Sequence, residues 1–167
     1  MDFDTAFSQV VDNEGALSMD PRDRGNWTTG VVNSGTLKGS KYGISAMSYP
    51  NLDIENLTLD QAKSIYQRDY WSLAGCEMVP DGIKFDLFDM AVNSGVKAAI
   101  RALQTAIGST PDGVIGSDTL MHVRDMPADR LVLRFNGSRL KSMTQMGAWE
   151  SQGKGWANRI ADNLMRA

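Results

Sequence analysis

The chain has 167 residues, 42% of them hydrophobic and 22% charged, which suits a globular fold with a sizeable core and excludes a disordered chain. Its net charge of -3 excludes a dedicated nucleic-acid binder, which would carry a strong basic excess. The single cysteine, Cys76, excludes an internal disulfide and any multi-cysteine metal site.

From the N-terminus, Phe3, Phe7, Val10 and Val11 recur at the spacing of one buried helical stripe, which predicts a first helix over residues 3–14. Glu14 continues that inward stripe, and Gly15 can stop the helix behind it. The carboxylate is thereby expected at the mouth of a cleft, half against apolar surface, where its pKa rises and it suits a general acid. From Ala16 to about Ser48, Gly, Ser, Thr and Asn dominate, with Trp27, Val31, Val32, Leu37, Tyr42 and Ile44 set between Gly25, Gly30, Gly35, Gly39 and Gly43. This predicts hairpins and loops, in a stretch too long for a passive linker.

After Pro50 the pattern is helical. Thr58 and Gln61 form a capping box ahead of Ala62, Ile65, Tyr66 and Tyr70. Helices are predicted from Phe85 through Asn93, ending at Gly95, and from Val96 to Ile107, ending at Gly108. Residues 109–116 read as a tight turn, after which Ser117 can cap a short helix through Val123. Further helices are predicted over about 128–143 and at the end, where Trp156, Ile160 and Leu164 form the expected buried face. The layout is helix, small β-rich lobe and helical bundle. It predicts one domain over residues 1–167, with catalytic helix, lobe and central helices in 1–95 and a helical part in 96–167.

The last fifth is locally basic, with Arg130, Arg134, Arg139, Lys141, Lys154, Arg159 and Arg166 against Glu150 and Asp162. A solvated helix face is the favoured reading, and contact with an anionic wall or membrane surface the alternative. The chain shows no secretory leader and no stretch long enough to span a bilayer, so action outside the cytoplasm would need a separate release route. Asp112 and its glycines read as a turn rather than a calcium loop. His122, the only histidine, offers no zinc ligand set, so neither a metal nor another cofactor is expected. The ten methionines are expected to fill gaps in the core.

Two carboxylates across a sugar-binding cleft are the minimum equipment for cleaving a glycosidic bond: one protonates the departing oxygen and the other activates water or stabilises the oxocarbenium-like centre. Asp23 is the natural partner of Glu14, nine positions on in the turn-forming run Asp20-Pro21-Arg22-Asp23-Arg24-Gly25. Thr29, with Thr28 beside it, follows six positions later. Trp27, Tyr42 and Tyr49 are candidates for stacking on sugar rings; for Trp27 and Tyr42 packing in the lobe's own core is an equal alternative. Asn93 is polar beside Ala91 and Val92, so it is read either as a substrate contact from a cleft floor or as a bond to backbone.

The spacing of Glu14, Asp23 and Thr29 resembles the catalytic triad of phage-type lysozymes, and over nearly its whole length the chain resembles the glycoside hydrolase family 108 muramidases, found in phage endolysins and bacterial secretion activators. The resemblance rests on Glu14-Gly15, the Asp20–Gly25 run, Tyr42-Gly43-Ile44-Ser45, Ile65-Tyr66, Tyr70-Trp71 and Phe88-Asp89-Met90-Ala91-Val92-Asn93-Ser94-Gly95. Farther on it includes Leu103-Gln104, Asp112-Gly113-Val114-Ile115-Gly116 and Lys154-Gly155-Trp156-Ala157-Asn158-Arg159, so the C-terminal half looks like the family's predicted peptidoglycan domain. It implies a lysozyme-like α+β fold, mainly helical with a small β-hairpin lobe after the first helix. It also implies hydrolysis of the bond between N-acetylmuramic acid and N-acetylglucosamine in peptidoglycan strands, with Glu14 as the essential acid. The chain departs from the family pattern in reading Glu14-Gly15-Ala16-Leu17 where the family has Glu-Gly-Gly-Tyr, and in splitting the Gly-Gly-x-Thr-Asn-Tyr-Gly-Ile-Thr stretch. By motif order Ser40 takes the place of the triad hydroxyl; by raw spacing Thr29 does. The expected role is that of a monomeric phage endolysin, held in the host cytoplasm until a holin-type route releases it. The alternatives are a lytic transglycosylase and a non-catalytic wall-binding or secretion-helper protein.

Overall fold

The computed structural model describes residues 1–11 and 16–166 and is mainly helical, with one two-stranded antiparallel sheet among the described residues. It divides into two compact units, one of Asp4–Gln67 and one joining Met1–Phe3 to Arg68–Ala167.

The smaller unit begins in helix α1 (Phe3–Val10), where Ala6 and Phe7 are buried as the apolar stripe predicts. The expected continuation to residue 14, and with it Glu14, lies outside the described residues. Helix α2 (Leu59–Tyr66) starts at the predicted capping box: Thr58 Oγ1 accepts from Gln61 N–H at 3.2 Å, and Gln61 Oε1 accepts from Thr58 N–H at 2.9 Å. Its Tyr66 ring meets Phe7 edge-on, centroids 5.4 Å apart. Between the helices, strands β1 (Ser40–Lys41) and β2 (Ile44–Ser45) pair in the register Ser40 with Ser45 and Lys41 with Ile44. Tyr42 and Gly43 join them with φ of 52° and 74°, the positive values that a two-residue type I′ hairpin demands at both positions. Tyr66 Oη donates to Tyr42 O at 3.1 Å and stands where a Cβ on residue 43 would be, so glycine is required there.

In the larger unit, Phe3, Trp71 and Phe88 meet edge-on with centroids 5.5 to 5.9 Å apart. Helix α3 (Asp81–Ser94) is buried nearly all round and packs against α4 (Val96–Ile107) and α6 (Ala128–Met143). Its first turn, Asp81–Lys84, lies before the predicted start because it holds a glycine and only Ile83 of its four residues is buried, so it offers no apolar pattern to read. Helix α5 (Ser117–Asp125) runs two residues past the expected end, and its N-cap position is Gly116, with no side-chain cap from Ser117. The turn before it has a mechanical cause: buried Gln104 donates to Asp112 Oδ1, Val114 O and Thr119 Oγ1 and accepts from Gly113 N–H.

Three expectations need correction. In α7 (Trp149–Arg166) the buried residues are Gly153, Ile160 and Asn163, whereas Leu164 is exposed and Trp156 half-buried. Only Met90 and Met143 among the methionines are buried, while Met19, Met47, Met78, Met121, Met146 and Met165 are exposed, so core filling is a minority role for them. The basic end is not a simple solvated face either, because Arg139 is fully buried.

Candidate functional site

Asp23, Trp27, Thr29, Ser40, Tyr42 and Tyr49 belong to the smaller unit and Asn93 to the larger; Glu14 lies outside the described residues. Asp23 is the N-cap of a 3-10 turn at Arg24–Asn26, with extended φ and ψ of -82° and 115°. Its Oδ1 accepts from Gly25 N–H at 2.8 Å, the local bond that makes aspartate a good cap. The carboxylate is exposed, and among the described residues no cation pairs with it. Arg22, one of the two arginines of this run, goes to Asp20 instead. Arg22 donates from Nε and Nη2 to the two Asp20 oxygens at 3.0 and 2.9 Å and from its backbone N–H at 2.9 Å, which draws the Asp20 pKa down to about 2.

Asn26 holds this turn against the hairpin. It is fully buried; its Nδ2 donates to Asp20 O at 3.0 Å and Ser18 Oγ at 3.4 Å, and its carbonyl accepts from Lys38 and Gly39 N–H at 3.0 and 3.1 Å. Ser40 follows at once and exchanges both backbone bonds with Ser18, at 2.9 and 3.0 Å, while pairing with Ser45 on its other side. Gly39 permits that approach: its φ is 81°, and a Cβ there would stand 2.5 Å from Ser18 O. The structure therefore ties Asp23, Asn26, Trp27 and Ser40 into one frame of backbone and amide bonds. Sequence reasoning missed Asn26 as its centre; the available signal was an asparagine between a glycine and a tryptophan in a turn-rich run.

The two hydroxyl candidates differ. Thr29 Oγ1 donates to Ser34 O at 2.8 Å and accepts from Val31 N–H at 3.3 Å, so it closes its own turn. No described residue hydrogen-bonds the Ser40 hydroxyl. Trp27 is half-buried, its Nε1 donating to Pro21 O at 2.9 Å, which gives its polar edge to the lobe and leaves part of the ring accessible. Tyr42 is half-buried under Lys41, whose Nζ lies 5.5 Å from the ring centroid; Tyr49 is half-buried, its N–H donating to Ser45 O.

In the larger unit, Asn93 is exposed at the end of α3, and its Nδ2 donates to Asp89 O at 2.7 Å and Asp89 Oδ1 at 2.9 Å. Asp89 is a buried hub. Oδ1 also accepts from Arg159 Nη1 at 3.0 Å, and Oδ2 accepts from Arg139 Nη1 at 2.7 Å and Asn163 Nδ2 at 3.2 Å. One carboxylate thus joins α3, α6 and α7. Asp86, one turn earlier, is buried too, and desolvation pushes its carboxyl pKa up against hydrogen bonds from Asn136 and Asn163. This network was also missed by sequence reasoning, although two signals were present. A charge inside an all-round apolar run such as Phe88-Asp89-Met90 has to be paired, and Arg139 falls on the apolar stripe Val132, Phe135, Met143 of α6. No group of residues suited to a metal ion occurs among the described residues.

A mainly helical α+β chain with a short hairpin lobe after its first helix, carrying an exposed capping aspartate and a buried polar hub, is lysozyme-like. The Glycosyl hydrolase 108 family model matches residues 7–95, and the chain belongs to that family and is a glycoside hydrolase. Among solved structures it is similar to SagA of Brucella abortus, with 29% identity and a TM-score of 0.81 over 98% of this chain and 92% of that one. No curated protein matches it.

Proposed function

We propose that the chain is an N-acetylmuramidase that hydrolyses the N-acetylmuramic acid–N-acetylglucosamine bond of peptidoglycan and serves as a phage endolysin. The observation that carries this reading is Asp23: within a glycoside hydrolase family, a carboxylate nine positions after Glu14 is held in place by one backbone N–H and left exposed, while Asp20, three positions earlier, takes Arg22. In the proposed mechanism Glu14 protonates the departing glycosidic oxygen and Asp23 activates water on the sugar. Ser40 supplies the hydroxyl that holds that water, a choice supported over Thr29 because Thr29 Oγ1 is occupied within its own turn while no described residue hydrogen-bonds the Ser40 hydroxyl. Trp27, Tyr42 and Tyr49 contribute ring faces to the glycan. No helix among the described residues is long and apolar enough to cross a membrane. Delivery to the wall by a separate holin-type route is part of the proposal.

Chloroform-permeabilised Gram-negative cells, followed by turbidity with mass analysis of the soluble glycans, test the proposal. The native chain is expected to clear the suspension and release reducing-end muramic acid products that have gained water. Glu14→Gln should lower the clearing rate by about a hundredfold or more, the usual worth of a positioned proton donor, with an unchanged thermal melt. Anhydro products would replace hydrolysis by transglycosylation. Wall binding without clearing would replace it by a non-catalytic role.

A further inference from the structure

The stretch between Gly25 and Ser40 returns on itself. Trp27 bridges Leu37, Thr28 N–H donates to Thr36 O at 3.0 Å, and the Asn26 carbonyl accepts from Lys38 and Gly39 N–H at 3.0 and 3.1 Å. The segment is thereby closed at its neck, and Ser40 follows directly on the residue that Asn26 holds. Asn26 reaches the other way as well. Its N–H donates to Asp23 O at 3.1 Å, closing the turn that Asp23 caps, and its Nδ2 donates to Asp20 O at 3.0 Å and Ser18 Oγ at 3.4 Å. Ser18 is itself the backbone partner of Ser40. One side-chain amide thus stands between the run that carries Asp23 and the strand partner of Ser40.

That amide is only half used. Asn26 is fully buried, yet its Oδ1 has no hydrogen-bond partner among the described residues. A buried acceptor left unbonded costs stability, so each one calls for a reason. The amide has no freedom to turn over, because Asp20 O is an acceptor and only Nδ2 can face it. A residue that leaves one polar atom stranded in order to hold one carbonyl is better explained by the geometry it fixes than by the stability it adds.

We propose that Asn26 is a positioning residue for the hydrolytic step, setting the register of Asp23 against Ser40. The inference rests on the muramidase reading, in which those two groups activate and hold the water. Being fully buried, Asn26 acts through them and not on the glycan. Rates depend steeply on such registers, and a displacement of about 1 Å far from the reacting atoms can cost about a hundredfold.

Initial rates on soluble peptidoglycan strands over a range of concentrations separate kcat from KM. Asn26→Leu keeps the approximate shape of the side chain and removes the donor and the stranded Oδ1 together. Its kcat is expected to fall about tenfold to a hundredfold with KM little changed, in a protein that melts close to the native temperature. Thr58→Ala removes a cap in the same unit and is the stability control: its melt should drop while kcat stays native. If Asn26→Leu does not fold, Ser18→Ala on an exposed residue decides instead. A kcat lowered about threefold at unchanged KM, the worth of one weak hydrogen bond, supports the brace, and a native kcat overturns it. A folded Asn26→Leu chain with native kcat also overturns the proposal, as does a loss carried by KM alone or a kcat loss that Thr58→Ala reproduces. In each of those cases a native chain that still releases hydrolysed products leaves the muramidase reading standing. A native chain that releases none removes both.

Discussion

The two units are held together over different distances along the chain. In the smaller one the bonds that frame Asp23 are short in sequence, two positions from Gly25 N–H to Asp23, six from Asn26 to Asp20 and six from Trp27 to Pro21, and the longer ones, such as Ser18 with Ser40, join backbone to backbone. In the larger one Asp89 takes Arg139, Arg159 and Asn163 from 50, 70 and 74 positions away. Local bonds form as each turn forms, so a lobe built from them can vary piece by piece. A buried hub forms only when three helices have docked, and it fails as a unit.

The hub should therefore give the largest stability effect. Arg139→Met leaves Asp89 buried without its closest cation, and a loss of about 3–5 kcal/mol is expected, read as a lowered midpoint in urea. Adding Asp89→Leu to that variant should recover much of the loss, since an apolar pair no longer strands a charge; no recovery would argue that packing of the arginine, not its charge, is what matters. Asp86 gives the network a pH dependence. Its folded pKa lies above the ordinary 3.8, so the native state binds the proton more tightly than the unfolded chain. That contribution is present below about 3.8 and is lost as pH rises through the folded value. Thermal melts of Asp86→Asn across this range should lack the decline that the native chain shows.

The lobe should respond next and more locally. Gly39→Ala puts a side chain on a residue with positive φ and against Ser18 O, at an expected cost of about 1–3 kcal/mol. Hydrogen exchange should place the added opening at residues 18 and 37–40, with the amides of α3 unaffected. Spread of the effect into α3 would mean that the two units do not respond independently.

The same contrast decides what could be read in advance. Elements with a clear period or cap were legible: α4 and α6 at the expected bounds, the α2 capping box and the Gly95 and Gly108 stops. In the lobe, turn chemistry was legible as composition, but which polar group sits at its centre was not, because Asn26 looks like any loop asparagine until its neighbours close over it. In the bundle the basic tail misled for a related reason. Charge counts do not say which face a residue occupies, and Arg139 is spent internally on a partner 50 positions away. Asp23 could be proposed because its spacing from Glu14 is a one-dimensional quantity; the proposal of Ser40 over Thr29 rests instead on the bonds that occupy Thr29, which spacing does not reveal.

The smallest effect expected is the removal of one local cap. Thr58→Ala deletes the acceptor for Gln61 N–H on the surface of α2 and should cost about 1 kcal/mol, seen as a small drop in melting temperature. Because the capping box is reciprocal, Gln61→Ala should cost less after Thr58→Ala than before it: the Gln61 side chain holds the Thr58 N–H at 2.9 Å only while the box keeps it folded back. Additive losses in that double-mutant cycle would show that the two bonds act separately. The start of α2 would then be local down to the single hydrogen bond, which is the sharpest form of its difference from the Asp89 hub.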